Sequence, residues 1–254
     1  TPNESGNSNE ATATPVNPVT CTTTSFSHSL DADGSDEYFS FTRADVPDLL
    51  MEFDRNWSFG FWCRCDSYDG GVVWTNGYGT SSYTNRIYVS KNVNPYVVVQ
   101  FGTTSIYDTT ACKIRSRRKE FFHVLVTHVA DGETKIYING VEADQSSSGS
   151  VVSSTMNPTL LARWNSSSSD GSSPTYTWKG EMGDIAVWSS VLTSSQVTDA
   201  YDGGAPPDLN SHDASSSLVA WYQFGDGTED TASTPSTLYN MSTNNTDSNY
   251  DATG

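Results

Sequence analysis

Short runs in which apolar and polar residues alternate follow one another along most of this chain, with polar turns between them. They lie at residues 27–30, 38–41, 58–65, 71–75, 86–90, 96–101, 121–128, 135–138, 159–163, 180–188 and 218–224. A period of two sends successive side chains to opposite faces of a strand, so about eleven short strands are expected, enough for a two-sheet sandwich. Asn139-Gly140 is a strong signal for a type I′ hairpin turn. Residues 46–53 read as a helical turn, with Pro47 tolerated at its start. One stretch changes period midway. Ile185 and Val187 alternate as in a strand, then Leu192, Gln196, Val197 and Tyr201 fall at helical spacing behind the capping residue Thr193.

Composition supports the β reading. Of 254 residues, 35 % are hydrophobic, enough to fill one core, and only 17 % are charged, while Ser, Thr, Asn and Gly crowd the connections. All-β domains of this length commonly stay single. Residues 1–24 hold almost nothing a core could bury, so an extended N-terminal arm is expected there, held by a neighbouring subunit, ahead of one domain over 25–254.

Four segments carry a family resemblance: residues 29–39, which include Asp31-Ala-Asp-Gly-Ser-Asp-Glu37; Phe59-Gly-Phe-Trp-Cys-Arg-Cys65; 122–128 with 135–141 behind it; and the strand-to-helix run from Lys179 to Gly203. Together they resemble a laminin-G-like, concanavalin A-like jelly roll. The resemblance implies an all-β, two-sheet antiparallel sandwich with one or two short helices, a closing strand near 218–224 and a C-terminal tail. It says little about function, because this sandwich serves lectins, adhesion modules, hydrolases and virion parts alike. Residues 200–230 further resemble laminin-G-like proteins predicted from marine phage genomes, in which a Gly-Gly-x-Pro-x-Asp-Leu linker precedes a Leu-Val-x-Trp-Trp strand; here Trp221-Tyr222 ends the phrase. That implies a non-catalytic component of a virus particle (capsid decoration, fibre or tail) whose partners are other virion proteins or copies of itself. The alternative is a secreted or cell-surface carbohydrate-binding adhesion module that meets host-surface glycan.

Charge and cysteines narrow these classes. A net charge of −17 repels phosphate, which argues against nucleic-acid partners. No apolar run approaches the roughly 18 to 20 residues of a membrane-spanning helix, so no membrane insertion is expected. A start at Thr1 fits either a removed signal peptide or a removed initiator methionine. Cys63 and Cys65 share one strand face with Phe59 and Phe61 and read as buried free thiols, while Cys21 and Cys112 either pair or stay free. At most one bridge in a chain this long suits synthesis in a reducing compartment.

Candidate chemistry falls into four groups. Sandwich hydrolases resembling this fold carry Glu-x-Asp-x-x-Glu on one strand face; the nearest run here is Glu181-Met-Gly-Asp184, whose spacing of three points to opposite faces. His123 and His128, five apart, also face opposite ways, and no enzyme is expected. Calcium is the candidate cofactor, through Asp31, Asp33 and Asp36 with Asp226 and Asp230, hard oxygen ligands on turns, although Asp31 and Asp33 also suit Asx turns. Tyr68, Trp74, Tyr78 and Tyr83 surround the loop 76–85 and suggest a sugar platform, with Trp74 also suited to the core. Lys113, Arg115, Arg117, Arg118 and Lys119 form a basic stripe on an acidic body, a dock for an acidic partner or a solvated edge that discourages aggregation.

Overall fold

The structure, a computed structural model, describes residues 26, 29–35, 38–65, 69–77, 85–91, 96–107, 120–151, 156–164, 174–224 and 237–253. These residues build two packed antiparallel sheets. The first contains β1 (Leu30–Asp33), β3 (Trp57–Arg64), β8 (Phe122–His128), β9 (Thr134–Ile138), β10 (Val141–Ser146), β14 (Lys179–Trp188) and β15 (Leu218–Tyr222), in the order β1-β14-β3-β8-β9-β10. β15 pairs with the second half of β14, on the edge whose first half holds β1. The second sheet contains β2 (Phe39–Ser40), β4 (Gly71–Thr75), β5 (Asn85–Val89), β6 (Val97–Phe101), β7 (Thr104–Tyr107), β11 (Thr159–Leu160), β16 (Thr237–Leu238) and β17 (Ala252–Thr253), ordered β16-β17-β2-β11-β4-β5-β6-β7. A two-stranded ribbon pairs β12 (Arg163–Trp164) with β13 (Pro174–Thr175).

The core lies between the sheets. Phe59, Phe61 and Cys63 of β3, Val124 and Val126 of β8, and Ile185 and Val187 of β14 meet Trp74, Ile87, Val89, Val97, Val99 and Phe101 of the second sheet. Cys63 and Cys65 are buried free thiols there, and burial pushes the Cys63 thiol well up from its ordinary pKa.

The outer face of the first sheet is covered as well, which explains why β3 and the end of β14 read as nearly continuous apolar runs. The short helix α1 (Ser194–Tyr201) lays Val197 and Ala200 onto Leu125, Tyr137, Ala186, Trp188 and Trp221, with Leu192, Leu209 and Ala214 completing a second cluster. Thr193 caps the helix reciprocally: its Oγ1 accepts from Gln196 N and its backbone N donates to Gln196 Oε1. Asp202, Gly203 and Gly204 all have positive φ, ending the helix and turning the chain under it. His212 then ties the returning linker to the helix. Its Nδ1 accepts from Ala214 N, so its Nε2 donates to Gln196 O, 3.0 Å away.

Most of the expected elements are present. Asn139 and Gly140 have φ of 51° and 75°, as the type I′ turn between β9 and β10 requires. The turn at 46–53 is shorter than expected, a 3₁₀ segment at Pro47–Leu49. β7, β10, β13, β16 and β17 are additional strands, the expected 159–163 run is divided between β11 and β12, and the first strand lies at Leu30–Asp33, beyond most of the expected 27–30 run. The expected arm, residues 1–24, lies outside the described residues.

Candidate functional site

The outer face of the second sheet is the side on which aromatic and basic residues gather. Along β5 the core takes Ile87 and Val89, so Arg86 and Tyr88 point outward. Register then aligns neighbours across the sheet. Val72, Tyr88, Val98 and Tyr107 form one row over β4, β5, β6 and β7, and Thr75, Arg86, Gln100 and Ser105 form the next. The first row gives an apolar floor, since Val72 and Val98 are buried, edged by Tyr107 at 42 % exposure.

Two connections raise walls around that floor. Tyr96 enters from the β5–β6 turn, where Ser90 and Tyr96 exchange two hydrogen bonds of 3.0 Å: Ser90 N donates to Tyr96 O, and Tyr96 N donates to Ser90 Oγ. Its ring meets Tyr107 edge-on, with centroids 5.7 Å apart. Tyr176 comes from the opposite side, 53 % exposed and at φ 52°. It is held there because Trp178 is fully buried and Tyr176 O accepts from Val72 N at 3.0 Å. That close approach needs glycine at position 71, where a Cβ would collide with the carbonyl of Thr177. The resulting pocket has a volume of about 280 Å³, with Ser90 and Lys91 at its rim.

Arg86 is fixed within this site. Its Nε donates to Gln100 Oε1 at 2.7 Å, and Gln100 Nε2 donates onward to Gly102 O at 2.6 Å, which sets the amide's orientation. The guanidinium lies over the Tyr88 ring, 4.7 Å from its centroid. Burial lowers the Arg86 pKa from its ordinary value, opposed by Tyr88 and Tyr176; burial raises that of the Tyr88 phenol, opposed by Arg86. Lys91 is lowered by burial and then by Lys179, with Asp69 opposing. Aromatic faces, a hydroxyl and two cations around one cavity suit a polar ring compound whose C–H face stacks on tyrosine.

Other concavities offer less. Beneath α1, a void of about 10 Å³ lies among Trp62, His123, Asp184 and Trp188, room for roughly one water molecule. Near one end of the sandwich, a groove of about 380 Å³ is lined by Asp48, Asp54, Arg55 and Asn56, but its one aromatic residue, Trp57, is 2 % exposed.

The residues singled out from sequence fare unevenly. Trp74 is not a sugar platform: it is 2 % exposed, turned into the core beside a β-bulge between Val72 and Trp74. Tyr68, Tyr78 and Tyr83 lie outside the described residues, as do Lys113, Arg115, Arg117, Arg118 and Lys119. Of the calcium candidates, Asp31 and Asp33 project from the exposed face of β1, and Asp33 Oδ1 accepts from Ser35 N at 2.8 Å, an Asx turn. Asp36, Asp226 and Asp230 are outside the description, and among the described residues no three His, Cys, Asp or Glu side chains form a metal-holding group.

The carboxylates at 181 and 184 require a correction. β14 carries a bulge in which Gly183 and Asp184 together oppose Trp62, so the alternation slips and both carboxylates face outward. Each is engaged separately: Glu181 pairs with Arg64, and Asp184 is buried and accepts from Trp221 Nε1 at 3.2 Å. His123 and His128 do face opposite ways, into the outer cluster and the sandwich core respectively. Sequence reasoning passed over Arg86, Tyr88, Tyr96, Tyr107 and Tyr176, although alternation across residues 86–90 already placed Arg86 and Tyr88 on one face.

Comparison with known proteins agrees with this architecture. Residues 33–198 match the family model described as the concanavalin A-like lectin/glucanases superfamily. Among solved structures, a candidate carbohydrate-binding protein of Bacteroides ovatus superposes with a TM-score of 0.58 at 17 % identity, over 86 % of this chain and 56 % of that one. This chain therefore spans little more than half that protein's length. The CBM40 module of a Ruminococcus gnavus IT-sialidase, solved with α2,3-sialyllactose, superposes with a TM-score of 0.51 at 10 % identity, over 68 % of this chain and 96 % of that module. At these identities the likeness concerns the fold. No curated protein sequence matches the chain.

Proposed function

Since the chain belongs to the concanavalin A-like lectin/glucanases superfamily, we propose that it is a carbohydrate-binding module whose site is the tyrosine-walled pocket on the outer face of its second sheet. The observation that carries this reading is the convergence of Tyr88, Tyr96 and Tyr176 on one cavity beside Arg86 and Lys91. A pyranose presents an apolar C–H face and a rim of hydroxyls; tyrosine rings meet the first, and the cationic and hydroxyl groups meet the second. Binding without cleavage is part of this reading, and the separate engagement of Glu181 by Arg64 and of Asp184 by Trp221 supports it. A secreted or surface setting follows from that role. The virion reading draws on the likeness of residues 200–230 to marine phage proteins, with residues 1–24 and 113–119, outside the described residues, as its attachment surfaces; the tyrosine-walled pocket gives carbohydrate binding a described site, and that reading is adopted.

A glycan array probed with the full chain, alongside Tyr96→Ala and Tyr107→Ala, tests this. We expect retention on a subset of glycans that weakens about tenfold or more in Tyr96→Ala, the stability of each variant being followed by thermal melting. Absence of retention on every glycan, or retention indifferent to both substitutions, would overturn the proposal.

A further inference from the structure

Seven basic side chains are described, and five of them face a carboxylate. Arg43 and Arg55 pair with Glu52, Arg64 with Glu181, Lys135 with Glu133 and Glu142, and Lys179 with Asp69. The remaining two, Arg86 and Lys91, have no carboxylate at ion-pair distance among the described residues, and both line the same pocket. The chain carries 30 acidic residues against 13 basic ones. With acids in such excess, two neighbouring cations without an ion-pair partner depart from the pattern of the other described cations; Asp69, paired with Lys179, acts on Lys91 only from beyond ion-pair distance.

We infer that the pocket takes an anionic sugar, one whose carboxylate or sulfate lies against Arg86 and Lys91 while its ring packs on Tyr96 and Tyr176. This rests on the carbohydrate reading above and names its substrate class. Among the described residues no aspartate or glutamate lines the pocket to compete for either cation. Arg86 is already positioned, its Nε spent on Gln100 and its plane laid over Tyr88, so little side-chain freedom is lost when its terminal amino groups meet an acceptor. A planar guanidinium matches two oxygens of one carboxylate or sulfate. Both cations are partly buried, and burial disfavours their charged forms, so a bound anion would supply the close counter-charge that the described residues do not. A neutral sugar would leave that cost in place.

The test uses matched pairs of glycans: oligogalacturonate with its methyl ester, and chondroitin sulfate oligosaccharides with their desulfated forms. The acidic member should bind about tenfold tighter or more, as expected for hydrogen bonds to charged groups, and its advantage should shrink as salt screens it. Lys91→Gln and Arg86→Gln should each reduce that advantage. Lys91 makes no structural hydrogen bond among the described residues, so its variant keeps the test decisive if Arg86→Gln folds poorly. Equal binding within each pair, or an acidic preference untouched in the folded variants, overturns this inference and leaves carbohydrate binding standing. Binding to neither member of any pair, with no neutral glycan bound either, removes both.

Discussion

Burial holds His123 neutral. Its ring is 4 % exposed, set against Trp62 at 4.9 Å and Tyr201 at 6.3 Å between centroids, and its pKa is pushed down to about 3. In the unfolded chain the ordinary value is 6.5. Between these limits only the unfolded chain takes up the proton, so the stability is full above pH 6.5 and is lost progressively as pH falls toward 3. At 1.36 kcal/mol per pH unit, the loss between pH 7 and pH 5 is about 2 kcal/mol. Denaturant melts of the wild type and His123→Gln across that range should diverge by this amount, since His128 and His212 are common to both; parallel curves would show that His123 does not govern the acid response. Residue-scale reading from sequence succeeded where alternation alone decides orientation, as for His123 against His128 and Cys63 with Cys65. It failed at Asp184, whose orientation depends on a bulge that no local pattern announces.

That bulge in β14 also shows how an element is coupled to what precedes it. Gly183 sits beneath Phe26, and a Cβ there would enter the phenyl ring, which itself packs against Trp62 and Phe121. Gly183→Ala should therefore cost about 1–3 kcal/mol by overpacking. In a Phe26→Ala background most of that penalty should vanish, because the obstructing ring is gone; a double-mutant cycle with no coupling energy would refute the arrangement. Elements with strong apolar content were legible: β3, β8 and β14 carry enough buried residues to be read unaided. β10, with burial confined largely to Ala143, and β7, with only Ile106 in the core, lie at sheet edges and have too few apolar positions to register. β16 and β17 are two residues each. They depend on contacts such as Asn240, whose Oδ1 accepts from Trp221 N and Ser242 N and whose backbone N donates to Asp251 Oδ1. The pocket was harder still, since Tyr176 reaches Tyr88 across 88 positions of sequence and only the closed sheet brings them together.

At the scale of the whole molecule, a net charge of −17 and a basic pocket respond to salt in opposite senses. Self-repulsion among acidic side chains is screened by added ions, so the thermal midpoint should rise by a few degrees between about 10 and 150 mM NaCl. Affinity for an acidic glycan should fall over the same range. A midpoint that drops together with the affinity would mean that the described ion pairs outweigh the repulsion. The two ends of the fold also meet, because β14 receives β1 through Leu30↔Met182 and β15 through Ile185↔Tyr222, and in the second sheet Ser40 pairs with Thr253. A ribosome making this chain from the N-terminus exposes β1 and β2 long before their partners exist. Closing such distant pairings is slow, and β1 waits as an open edge until β14 is made, as β2 waits for β11 and β17. Nascent chains halted before residue 218 should stay protease-sensitive throughout, which makes the arrival of β14 and β15, more than any early segment, the trigger for folding.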